Sequence, residues 1–72
     1  MIKRDYHLWK LEDAIRDVEH LIDRARMNKP IEVELITGNG VIKSQLFHLF
    51  VEYGLEAKEK LGNPGVIIAY LE

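Results

Sequence analysis

The 72-residue sequence predicts an α/β chain of the α+β kind: a two-layer sandwich with two helices on one face of a mixed four-stranded sheet. Three observations predict it. Apolar residues recur at helical spacing from Leu11 to Arg26. Two short apolar segments, Ile31–Ile36 and Val66–Leu71, have strand length and strand composition. Glycine-rich stretches at Thr37–Gly40 and Gly62–Gly65 punctuate the remainder. The element order is β-α-β-α-β-β, in a single domain over residues 1–72.

Each element has its own justification. Lys3 to Leu8 reads as a short polar strand. Leu11, Ala14, Ile15, Val18, Leu21, Ile22 and Ala25 share one helical face, while Glu12, Asp13, Arg16, Asp17, Asp23 and Arg24 form a solvated one. Asn28-Lys29-Pro30 ends this helix, because the residue before proline avoids helical angles. In Ile31–Ile36 the apolar Ile31, Val33 and Leu35 alternate with Glu32 and Glu34, so one face of the strand is expected to be wet. A second helix from Ile42 or Lys43 to Tyr53 buries Leu46, Leu49 and Phe50. Gly54 then stands where a left-handed cap is wanted, with Leu55 as its apolar contact. Leu55–Lys60 is a polar strand, Gly62-Asn63-Pro64-Gly65 a turn, and Val66–Leu71 the most apolar strand.

Strand character sets the sheet order. The first two strands are parallel, joined by a right-handed helical crossover. The last two are antiparallel. Ile31–Ile36 and Val66–Leu71 belong at the centre and the charged strands at the edges, where charge discourages aggregation. The order is 1-2-4-3. Val66, Ile68 and Tyr70 would then leave an apolar strip on the open face, which leaves room for a partner or a homodimer.

Composition excludes several function classes. Ten Lys plus Arg against 12 Asp plus Glu give a net charge of −2, so the chain is not a polybasic nucleic-acid binder. It has no cysteine, which excludes disulfides, a thiolate nucleophile and Cys-ligated zinc, and fits the cytoplasm. There is no apolar run of membrane-spanning length, and the first residues lack the core of a secretory signal.

The chemistry gathers at one sheet edge. Asp5 and His7 lie two apart at the end of the first strand, roughly 7 Å along the chain and on one side. Thr37-Gly38-Asn39-Gly40 follows the second strand, so both segments emerge at the carboxyl edge, where such sheets bind ligands. The glycines permit close backbone approach, and the helix N-terminus offers amides and positive dipole to a phosphate. Lys43 in the first helical turn adds a full charge. Imidazole moves protons near neutral pH, so a histidine beside a phosphate cradle suits phosphodiester cleavage. Trp9 is a candidate for stacking on a base, though an anchor between strand and helix is the plainer reading. Taken singly, a D-x-H triplet is usually strand polarity and T-G-x-G usually a tight turn. Their joint placement carries the argument.

Those residues resemble the Smr (small MutS-related) domain family. Its members carry L-D-x-H-G on the first strand and T-G-x-G or H-G-x-G after the second. Here Asp5 and His7 match within Arg4-Asp5-Tyr6-His7-Leu8, and Thr37, Gly38 and Gly40 match within T-G-N-G. Glu12-Asp13-Ala14 and the Gly62-Asn63-Pro64-Gly65 turn are also similar, so the resemblance spans nearly the whole chain. It implies the fold of the C-terminal domain of translation initiation factor three. It also implies endonuclease activity on RNA or DNA, with D-x-H needed for cleavage and T-G-x-G for the substrate. Three positions depart from the pattern: Arg4 replaces an apolar residue, Leu8 the glycine after the histidine, and Lys10 a helix-capping threonine. They bear on catalytic competence more than on the fold.

The leading expectation is a small Smr-like endonuclease acting on structured RNA or DNA. Asp5 and His7 are its catalytic pair; Thr37, Gly38, Asn39, Gly40 and Lys43 hold phosphate. No cofactor is expected with RNA, and a divalent ion on Asp5 becomes relevant if DNA is cut. The alternatives are a non-catalytic module that docks on nucleic acid or a ribonucleoprotein, and an adaptor using the open sheet face.

Overall fold

Strands and helices follow one another in the expected order: β1 (Ile2–Asp5), α1 (Leu11–Met27), β2 (Ile31–Ile36), α2 (Val41–Glu52), β3 (Glu56–Lys60) and β4 (Asn63–Leu71). The computed structural model describes every residue from Met1 to Glu72. The sheet order is β1-β2-β4-β3, with β1 and β2 parallel and the other pairs antiparallel. This is the arrangement that strand polarity predicts.

The alternation in β2 decides which face is buried. Val33 stands opposite Ala69 and Leu35 opposite Ile67, so these side chains share one face. Against them pack Ala14, Val18, Leu21, Ile22 and Ala25 from α1, with Leu46 and Phe50 from α2. Both helices therefore cover the same side. At the end of α2 the Leu55 amide bonds the Phe50 carbonyl and the Gly54 amide that of Val51. That is the paired closure of a Schellman cap, and Leu55 packs against the core beside it.

Several boundaries differ from expectation. β1 ends at Asp5 rather than Leu8, because the chain turns immediately afterwards. α2 starts at Val41. The expected four-residue turn contracts to Leu61-Gly62, and Asn63, Pro64 and Gly65 already belong to β4. The β3–β4 register jumps here, from Glu59 opposite Ile67 to Lys60 opposite Asn63. Pro64 falls within that irregularity, where no ladder donor is required of it.

Asp17 is not part of the solvated helix face. It is half-buried, receiving the Tyr6 hydroxyl at 2.7 Å and Arg4 Nε at 3.2 Å. Tyr6 itself is wholly buried. Ile2 and Arg4 of β1 and Tyr6 just past it alternate toward the helices, so Arg4 reaches α1 from the edge of the core.

The open face does not present the expected apolar strip either. Val66 and Ile68 are buried, and Tyr70 is half-buried with Glu32 opposite. Glu34 takes Lys3 Nζ at 3.7 Å and Lys60 Nζ at 3.1 Å. Because β4 lies between β2 and β3, the Lys60 stem crosses β4 to reach Glu34 and shields its apolar residues. The basis for a homodimer on this face is thereby removed.

Two predictions follow from this packing. Phe50 is 1% exposed, so Phe50→Ala should cost about 3–5 kcal/mol in a denaturant melt. An unchanged midpoint would show that the α2 face is misassigned. Secondly, the Lys60 hydrogen bond, with the charges of Lys60 and Lys3, holds the Glu34 carboxyl below its ordinary pKa of 4.5. Its ionised form therefore stabilises the fold above that value, and the contribution is lost as pH falls through the lowered pKa. Glu34→Gln should flatten that part of the acid limb in Tm-against-pH curves. An identical limb in both proteins would assign the acid sensitivity to other carboxylates.

Candidate nucleic-acid interface

The site begins with a turn that β1 runs into. The Tyr6 amide donates to the Ile36 carbonyl at 2.9 Å, and the Trp9 amide donates back to the Tyr6 carbonyl at 2.9 Å. His7 and Leu8 occupy the centre of the resulting turn. Leu8 has φ 69° and is the one non-glycine residue with positive φ. Positive φ at this position is the mark of a type II turn and normally selects glycine. It is also the position where the Smr-like motif carries glycine. The Leu8 side chain is 89% exposed and gains no burial in return.

Asp5 serves this turn. Its Oδ1 accepts the His7 backbone N–H at 2.9 Å, and no hydrogen bond joins it to the imidazole. His7 has left the strand, so the alternation that would align the two side chains no longer applies. The imidazole is exposed.

The Thr37–Gly40 loop leaves β2 beside this turn, since Asp5 pairs with Ile36. A single carbonyl fixes it: Gly65 O accepts the Thr37 amide at 2.9 Å and the Gly38 amide at 3.0 Å. The Thr37 hydroxyl donates to Gly38 O at 2.8 Å, with Gly65 O at 3.3 Å. Gly38 has φ 71°, and its Cα lies 3.4 Å from where a Cβ on Gly65 would stand. Gly38 thus answers to backbone geometry, and neither its amide nor the Thr37 hydroxyl is available to a ligand. The unbonded amides lie further along. Asn39, Gly40, Val41, Ile42 and Lys43 have no backbone acceptor, the first helical bond being Ser44 N–H to Gly40 O at 3.4 Å. Gly40 has an ordinary φ of −102°, and a Cβ there would meet nothing within 4 Å. Packing does not demand glycine at this position, which is the N-cap of α2.

The cations around the loop are largely committed. Lys43 Nζ bonds Asn39 Oδ1 at 3.3 Å and is paired with Glu59 of β3. Lys60 is held by Glu34. Trp9 sets its ring edge-on to Tyr6 at 5.0 Å and is 43% exposed, an anchor that still shows part of its surface. No group of three or more His, Asp or Glu side chains is disposed to hold a metal ion.

Four participants escape a reading of motifs alone: Tyr6, Asp17, Gly65 and Glu59. For Tyr6 a signal exists, the Ile2-Arg4-Tyr6 alternation. Asp17 lies between Ala14 and Val18 on the helix, at the border of the apolar stripe. Nothing local marks Gly65 or Glu59, whose roles depend on the hairpin's register.

Comparison of the chain with protein-family models, curated proteins and solved structures returned no match. The geometry of the edge is what a functional reading has to stand on.

The turn yields a direct test. A left-handed backbone costs a non-glycine residue roughly 1–2 kcal/mol, and glycine's extra unfolded-state entropy costs about 0.5–1 kcal/mol. Leu8→Gly should therefore stabilise the protein by about 0.5–1 kcal/mol in chemical denaturation. A loss of stability would show that the exposed leucine makes a contact that offsets its strain.

Proposed function

We propose that the protein is a small Smr-like endonuclease acting on structured RNA or DNA in the cytoplasm. One observation carries the reading. The D-x-H turn and the T-G-N-G loop leave neighbouring parallel strands side by side, beside five amides with no partner in the chain. The positive φ at Leu8, where the resembled motif has glycine, supports it independently.

In this reading a phosphate lies against the amides from Asn39 to Lys43, where the helix dipole favours negative charge. Gly40, where a Cβ would stand in open space, leaves the phosphate its approach. Gly38 and Thr37 act indirectly, by tying the loop to Gly65. His7 takes the proton of an RNA 2′-hydroxyl; the 2′-oxygen attacks phosphorus and the bond to the 5′-oxygen breaks. The 5′-oxygen leaves with a proton from solvent water, giving a 2′,3′-cyclic phosphate and a 5′-hydroxyl, and the exposed His7 returns its proton to solvent. Asp5 holds the histidine's own backbone.

A second reading, a non-catalytic module that docks on nucleic acid, has a specific observation in its favour. Asp5 is bonded to the His7 amide and not to its ring, and Lys43 is neutralised by Glu59. The adaptor reading relied on an apolar open face, and the burial of Val66 and Ile68 takes that support away.

The test is an assay on structured RNA and branched DNA, with and without EDTA. His7→Ala should lower cleavage by about 10²–10⁴-fold while binding persists. Gly40→Val should weaken binding by more than the modest loss of Tm expected from a branched residue at a helix N-cap accounts for. Glu59→Gln, by releasing Lys43, should tighten binding and steepen its salt dependence by about one phosphate contact. A wild type that binds but never cuts would establish the docking module. Absence of salt-dependent binding would end both readings.

A further inference from the structure

We infer that Tyr6 is a positioning residue for His7, anchored through Asp17 and Arg4 to α1. The inference rests on the reading of His7 as the proton-transferring group and names what fixes it in place.

The need arises from the turn itself. The His7 ring has no hydrogen-bond partner in the chain, so only its backbone fixes where it stands. That backbone sits in a turn whose next residue, Leu8, is strained at φ 69°. A strained, exposed turn persists only if its surroundings over-determine it. Asp5 supplies one restraint, accepting the His7 amide. Tyr6 supplies the others. Its amide is bonded to Ile36, its carbonyl receives the Trp9 amide, and its ring takes the edge-on contact with Trp9.

The hydroxyl adds something a buried phenylalanine would lack. It donates to Asp17 Oδ2 at 2.7 Å, and the same oxygen takes Arg4 Nε at 3.2 Å. Burial and the Asp17 carboxylate push the Tyr6 phenol far upward, so it stays a donor. A half-buried carboxylate needs partners, and its two, Arg4 on β1 and Tyr6 just past the strand, lie two residues apart and are both directed at the helix. Residues 4, 6 and 17 thus form one unit that fixes the depth and rotation of the Tyr6 ring. The ring is covalently adjacent to the turn. The arginine in place of an apolar residue at position 4 belongs to this unit, as the charge that balances Asp17.

The experiment compares wild type with Tyr6→Phe, Asp17→Asn and Asp17→Leu. Asparagine still offers an acceptor oxygen to the phenol, whereas leucine offers none. Each variant is read by kinetics on the RNA substrate and by heteronuclear NOE along the backbone. Tyr6→Phe and Asp17→Leu should lower kcat by roughly 10- to 100-fold with KM unchanged, and reduce the NOE at His7, Leu8 and Trp9 alone. Asp17→Asn should restore both toward wild type. Unchanged kcat and NOE in Tyr6→Phe would overturn the inference, as would order lost evenly over the whole chain. A wild type that cleaves nothing defeats the nuclease reading, and the NOE comparison then decides the anchoring by itself.

Discussion

The β2–β4 ladder is the constraint on which everything else depends. It runs from Ile31 opposite Leu71 to Ile36 opposite Val66. With helices on one side only, its register determines which side chains meet them. A slip of one residue would turn Glu32 and Glu34 toward α1 and expose Val33 and Leu35. The same register carries Gly65 against Thr37, so the loop that ends β2 is placed by the pairing that builds the core. β1 then joins β2 and sets its turn beside that loop. The edge is a consequence of the core.

At that edge Lys43 is paired with Glu59 and Lys60 with Glu34, while the amides at the start of α2 have no partner. Recognition of an anion here would depend on direction more than on net charge. Backbone donors are fixed in space by the helix they begin, so an oxygen has to arrive where they point. In an acidic protein such a site would select for the shape of an anion and forgo long-range attraction.

Most of the fold is legible in the sequence because its central strands and first helix carry unambiguous periodicity. Val33, Leu35 and the α1 stripe state their faces outright, and the charges on β1 and β3 state their edge positions. The site is legible only as a location. Asp5, His7 and the T-G-N-G loop are found by motif and topology, yet what each group bonds is not. Asp5 turning back to the His7 amide, Gly38 giving its amide to Gly65, and Lys43 meeting Glu59 are all products of distant segments brought together. Spacing along a chain does not encode them. Arg4 and Leu8 look like simple departures from a motif until Asp17 and the positive φ give each a physical context.

The Lys3–Glu34–Lys60 bridge has a consequence for the protein in crowded solution. Its two bonds span the sheet from one edge strand to the other. A second sheet laid flat on this face would have to strip water from the two lysine ammoniums and part their stems before touching Ile68. The charges thus act as a fender over the flattest surface of the molecule. A single glutamate, pinned between two cations, lays charge across the middle of the face.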